Sequence, residues 1–168
     1  MYENNTNIAE AFVIFLIIMI GIIALISLVL WIITVIGKWK VFEKAGKPGW
    51  AAIIPIYDMC VLYEIGDVKP VYVIFTIIGL ILTSIGNVLN SIGQARGEMV
   101  LVVSSIPVNL ISMGFSIAGL VFTIMACVNT AKHFNKSSVY GLGLAFLSFI
   151  FFPMLGFSKT VEYQKENK

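Results

Sequence analysis

The chain has 168 residues, 59% of them apolar and 12% charged, with a mean hydropathy of +0.97 and a net charge of +2. Soluble domains carry about 25% charged residues, so a water-soluble globule is excluded for want of polar surface. The small charge, with no basic stripe, excludes a nucleic-acid partner.

The opening MYENNTNIAE has no Lys or Arg and so lacks the basic n-region of a cleavable signal peptide. Residues 11–37 follow without one charge. A bilayer core of about 30 Å takes roughly 20 helical residues, so this run reads as a permanent first span, stopped by Lys38 and Lys40. Residues 38–49, KWKVFEKAGKPG, form a basic link that turns at Lys47-Pro48-Gly49. Residues 50–66 are apolar but short, and they hold Pro55, Asp58 and Glu64. Carboxylates are costly in hydrocarbon, which favours an interfacial or re-entrant segment over a crossing.

Residues 71–92, opened by Pro70, form the second span. Residues 99–131 are too long for one straight crossing. Pro107, with Ser104 and Ser105 as caps before it, places the third span at about 107–130 and leaves 99–106 as an apolar lead-in. A second basic link, KHFNKSS, precedes residues 139–157, an apolar segment with Pro153 that is long enough to cross. The polar tail, 159–168, is expected to be mobile. The sequence thus predicts an all-α polytopic transmembrane protein with one membrane domain over 1–158. It has three clear spans and two short apolar segments that are re-entrant, interfacial or crossing.

A weak internal repeat of pattern runs through this order. Twice a long helix leads into a basic link and then a short apolar piece containing proline, at Pro55 and at Pro153. Hydropathy alone can imitate such a repeat, so a duplication stays open beside coincidence.

Short cytoplasmic loops are enriched in Lys and Arg. If neither short segment crosses, all ten lysines fall on one side and Arg96 alone on the other. The split is eight to three if both cross and seven to four if only the last does. The charge count favours the first option, with the N-terminus outside and the C-terminus inside.

Two stripes of small and polar residues recur at helical spacing. One runs through Thr76, Gly79, Thr83, Gly86 and Asn90, with Asn87 beside it; the other runs through Ser105, Asn109, Ser112, Ser116, Gly119, Thr123, Ala126 and Thr130. They read either as a packing seam, with small residues and hydrogen bonds joining neighbouring helices, or as a polar lane for a small solute. Asp58 and Glu64 are the candidate intramembrane acids. They read either as a proton or cation site or, at an interface, as acids that reach water or pair with Lys40, Lys44 or Lys47. His133, alone in a basic link, reads as a solvated surface residue. Cys60 and Cys127 lie in apolar sequence and read as buried thiols. With one histidine and no CxxC pair, no metal set, cofactor motif or catalytic constellation is expected.

Residues 44–57, KAGKPGWAAIIPIY, and 135–157, NKSSVYGLGLAFLSFIFFPMLGF, resemble a family of small bacterial and archaeal membrane proteins of unknown function. Asp58 stands where the family pattern places Asn. Some proteins with this domain carry a signal peptidase I domain behind it. The resemblance therefore implies a bacterial cytoplasmic membrane, no known activity, and at most proximity to protein export. The leading expectation is a non-enzymatic accessory or scaffold protein whose partners are the bilayer and other membrane proteins or itself. The alternative is a small transporter or channel using the polar stripes.

Overall fold

A computed structural model describes residues 2–158 and 162–164. Among them are six α-helices and no strand: α1 (Tyr2–Lys44), α2 (Pro55–Ile65), α3 (Val73–Arg96), α4 (Met99–His133), α5 (Ser138–Phe146) and α6 (Ser148–Phe157). Single 3-10 turns at Gly49–Ile53 and Pro70–Tyr72 lead into α2 and α3. Three helices are long and apolar enough to cross a membrane: Glu10–Lys44, Pro70–Arg96 and Met99–His133.

The two short segments are each broken. Residues 50–66 divide into the 3-10 turn and α2, an 11-residue helix of about 16 Å. Residues 139–157 divide at Leu147 into α5 and α6, of nine and ten residues. None of these short helices spans the roughly 30 Å of a hydrocarbon core. Their outer faces are greasy, with Trp50 stacked on Tyr57 at 5.2 Å and Phe146, Met154 and Phe157 at least 60% exposed. That is the composition of a membrane–water boundary.

One expectation about a boundary is corrected. The lead-in 99–106 is not a separate leg, because α4 runs unbroken through Pro107. Proline removes one ladder bond, and a long transmembrane helix tolerates that loss when neighbouring groups compensate. Ser104 and Ser105 donate to Leu101 O and Val102 O rather than capping a new helix start.

The packed core lies at one end of the bundle. The last turns of α1 and α4 meet α2, α5 and α6 there, around Val41, Phe42, Leu62, Cys127, Phe134, Leu144, Phe152 and Leu155. Lys38, Lys40, Lys44, Lys47, Lys69, Lys132 and Lys136 belong to this end, and Arg96 closes α3 at the other.

Within this end the chain repeats itself. α1 and α4 finish in the same way: Gly46 at φ +71° and Asn135 at φ +56° take the left-handed position after the helix. Lys47 N and Lys136 N then donate back to Phe42 O (2.8 Å) and Ala131 O (2.9 Å), a Schellman closure that needs glycine or asparagine at that position. At constant spacing, buried or half-buried Gly37, Lys38, Val41, Phe42 and Ala45 of α1 correspond to Ala126, Cys127, Thr130, Ala131 and Phe134 of α4. The short helices are exchanged between the halves. Gly37 of α1 lies against Pro153 and Gly156 of α6, while Ala126 of α4 lies against Gly66 at the end of α2. Each long helix also caps the other half's short one. Lys44 Nζ donates to Leu155 O and Ser158 O, and Asn129 Nδ2 donates to Gly66 O. α3 is the return crossing that gives both halves the same direction.

A buried ion pair and a closed seam as the candidate functional site

The packed end holds a largely buried charge pair against its core. Lys38 Nζ lies 2.5 Å from Asp58 Oδ2, with side-chain exposures of 18% and 11%. Asp58 sits in the first turn of α2, where Pro55 opens the helix and the helix dipole favours a carboxylate. Lys38 also lies over the Phe152 ring, 5.3 Å from its centroid. Asp58 Oδ1 is buried and has no hydrogen-bond partner among the described residues. Burial lifts the Asp58 carboxyl above its ordinary value, and Lys38 pulls it back only in part. The repeat shows that the pair is an asymmetry, since the counterpart of Lys38 on α4 is the neutral Cys127.

The partners of the two acids differ in how far the sequence foresees them. Glu64 is exposed and paired with Lys47, one of the three lysines expected. Asp58 is buried and paired with Lys38, which reads in the sequence only as the end of a span. The signal that could have found it is the spacing of Lys38 from Lys47. The two are nine residues apart on one helix and its cap, as Asp58 and Glu64 are six apart on the neighbouring one, so the deeper lysine meets the deeper acid. His133 is not solvated: its side chain is 10% exposed and its Nε2 lies 3.0 Å from Asp67 Oδ2.

The two polar stripes face one another along α3 and α4. An added Cβ at Gly79 would stand 2.8 Å from Ser116 Oγ, one at Gly86 2.1 Å from Asn109 Oδ1, and one at Gly119 2.4 Å from Thr76 Oγ1. At these three levels the helices leave less room than a methyl group. The hydroxyls mostly bond within their own helices: Thr83 to Gly79 O, Ser112 to Asn109 O and Thr123 to Gly119 O. Asn90 accepts from Gln94 on its own helix, and Asn87 is exposed. Tyr63 of α2 reaches into the seam, its hydroxyl 2.9 Å from Thr123 Oγ1 and 3.3 Å from Gly119 O.

Tyr63 is fully buried, so Tyr63→Phe removes these two contacts and little volume. The expected loss is about 1 kcal/mol, read as a lower midpoint in SDS titration of the micelle-bound protein. An unchanged midpoint would show that the hydroxyl does not tie α2 to the seam. Among the described residues no group of three or more His, Cys, Asp or Glu is placed to hold a metal ion.

No curated protein and no solved structure matches the chain. Residues 88–166 match the model of a family of unknown function, DUF5684. The matched stretch runs from the end of α3 into the tail, so it takes in the rear stretch 135–157 and leaves residues 44–57 outside. The chain thus carries a domain of unknown function, and that domain takes in one of the three helices long and apolar enough to cross a membrane, Met99–His133.

Proposed function

We propose that this chain is a non-catalytic accessory protein that works by packing against other membrane proteins in a bacterial cytoplasmic membrane. The observation that carries this reading is the free half of α1. From residue 10 to residue 33 every position is exposed, and its most apolar window is 0% buried inside the fold. A helix greasy on all sides has to be covered by lipid or by another protein. The closed α3–α4 seam adds support, because at Gly79, Gly86 and Gly119 the two helices leave less room than a methyl group between the stripes.

The lysine-rich end would face the cytoplasm, with the N-terminus outside and the C-terminus inside, since short cytoplasmic loops favour Lys and Arg. Proximity to protein export is the narrower form of this proposal. It rests on the likeness of residues 44–57 and 135–157 to proteins that carry a signal peptidase I domain.

Affinity purification from native membranes after mild cross-linking tests the reading. The expected result is a stoichiometric membrane-protein partner that is lost when residues 11–33 are replaced by an unrelated apolar helix. Recovery of the bare monomer or homo-oligomer alone would overturn it.

A second reading, a small transporter or channel, is favoured by one observation, the buried Lys38–Asp58 pair with its unpartnered oxygen. Intramembrane charges often mark ion or proton paths. Proton flux into liposomes that vanishes in Lys38→Met would favour it over the accessory role.

A further inference from the structure

The short helices are unlike helices that rest on a membrane surface, which keep one strongly polar face toward water. α5 and α6 hold no charged residue. α2 holds two, Asp58 and Glu64, and both are paired with lysines from the end of α1 and its turn. The rest is apolar on both sides. Val61, Leu62, Leu144 and Leu155 are buried in the core, whereas Ile54, Ile56, Phe146 and Ile150 stand free of it at 47%, 57%, 68% and 46% exposure. Helices that are apolar all round belong inside hydrocarbon.

They reach only one leaflet. On α4 the contacts of Tyr63, Gly66 and Gly141 fall between Gly119 and Val128. From Gly119 to the helix end at His133 is about 21 Å at 1.5 Å per residue. Half of a bilayer with its headgroups is about 20–22 Å, so the two depths agree. On α1 burial begins only at Thr34. Six helices therefore share the leaflet at the packed end, whereas the other leaflet holds the closed α3–α4 pair and the uncovered half of α1. At the mouth of the packed end Lys69, Lys132 and Lys136 are exposed and in no ion pair among the described residues. Exposed lysines at this depth complement anionic headgroups.

We propose that the packed end is a one-leaflet wedge. α2 and the α5–α6 pair lie among the acyl chains of a leaflet rich in anionic phospholipid, whose headgroups meet Lys69, Lys132 and Lys136. The chain then favours membranes that curve with this leaflet on the convex side.

The physical reason is the unequal cross-section. Each helix with its side chains is about 10 Å wide, and the short ones displace lipid from one leaflet alone. Convex curvature opens that leaflet and relieves the crowding. The tail marks which way the wedge points. Gln164 N donates to His133 O at 2.8 Å, and the Tyr163 ring packs on Phe134 at 5.4 Å, so residues 162–164 lie against the packed end. The expected mobility of the tail fails there; the rest of the tail lies outside the described residues.

Nanotubes pulled from giant vesicles test this with the full chain. The vesicles hold roughly one part phosphatidylglycerol to two parts phosphatidylcholine, and the chain carries a fluorophore on its tail. A membrane-impermeant quencher separates molecules with the packed end outside from those with it inside. The outside population should be enriched at least about twofold on narrow tubes and the inside population depleted. Equal sorting of the two, or the reverse, would overturn the proposal. Ile54→Lys with Ile150→Lys lifts the short helices toward water and should reduce the enrichment; an undiminished enrichment would overturn their part in it. If that variant does not fold, the two populations of the unmutated chain decide. Energy transfer to labelled phosphatidylglycerol should exceed that to labelled phosphatidylcholine, and Lys69→Gln, Lys132→Gln and Lys136→Gln together should level them. Equal transfer in the unmutated chain would overturn the headgroup assignment. Two-step bleaching that becomes single-step in Ile54→Lys with Ile150→Lys would mean that a second copy covers these faces, and would overturn the proposal. The vesicles contain no other protein, so the outcome does not depend on whether α1 has a partner.

Discussion

Gly66→Val is expected to destabilise the folded chain by at least about 3 kcal/mol. An added Cβ at Gly66 would stand 2.4 Å from Ala126 O and 2.7 Å from Ala126 Cα. Both are backbone atoms, so no side-chain rotation relieves the overlap and α2 has to leave α4. Gly37→Val is the same experiment in the other half, where an added Cβ would meet Pro153 N at 2.4 Å and Phe152 C at 2.8 Å. Gly21→Val is the control, because nothing lies within 4 Å of an added Cβ there. Gly86→Ala should fall between them, since Asn109 meets it with the end of a movable side chain. SDS-titration midpoints in mixed micelles give the order. If Gly66→Val and Gly37→Val melted with Gly21→Val, the exchanged packing of the short helices would be wrong.

Lys38→Met alone should cost about 3–5 kcal/mol, because it leaves Asp58 buried without its partner. Replacing both, Lys38→Met with Asp58→Leu, should restore most of that loss, since a buried pair exchanged for apolar residues of similar size is often neutral. A double-mutant cycle would then show strong coupling. Additive losses would mean that the two side chains do not meet in the folded protein.

The same pair sets a pH dependence whose sign is fixed. The folded Asp58 carboxyl titrates above its ordinary value, chiefly because it is buried. The folded state therefore keeps its proton to a higher pH than the unfolded state. The Asp58 contribution to stability is fully present below the ordinary carboxylate range and is lost as pH rises through the folded value. Asp58→Asn should flatten that slope. A slope unchanged in Asp58→Asn would assign it to other groups.

The repeat gives these predictions a common frame. Where α1 and α4 correspond, the contacts that hold the short helices are small residues, Gly37 against Gly156 and Ala126 against Gly66, and single polar caps, Lys44 and Asn129. The ion pair is the departure from that likeness. An accessory role would use it to fix α1 against α2, for which a buried charge pair is suited by its demand for one register. A transport role would use the unpartnered oxygen. The liposome flux and partner-capture experiments separate these two uses.

Much of the architecture was legible in the residues themselves. Charge-free runs of the length of a bilayer identify spans because lipid offers backbone groups no hydrogen bonds, so the chain has to coil. Pro55 and the two carboxylates marked residues 50–66 as poorly suited to cross, whereas 139–157 read as long enough to do so; both segments break into helices of nine to eleven residues. The stripes on α3 and α4 were visible as a spacing of three and four.

Other features were decided only when the helices came together. Lys38 and Lys40 look alike as the charges that end a span, yet one lies in the core beside Asp58 and the other is exposed beside Glu43. Pro107 looked like a helix start and lies within a helix. His133 looked solvated and is held by two segments distant from it in sequence. The physical reason is the same in each case. Hydropathy and spacing are properties of one segment in its solvent, and they fix which stretches coil and how they cross. The choice of partner depends on which faces of separate helices meet, and that is set by close contacts such as Gly37 on Pro153 and Gly66 on Ala126, which exist only in the assembled bundle.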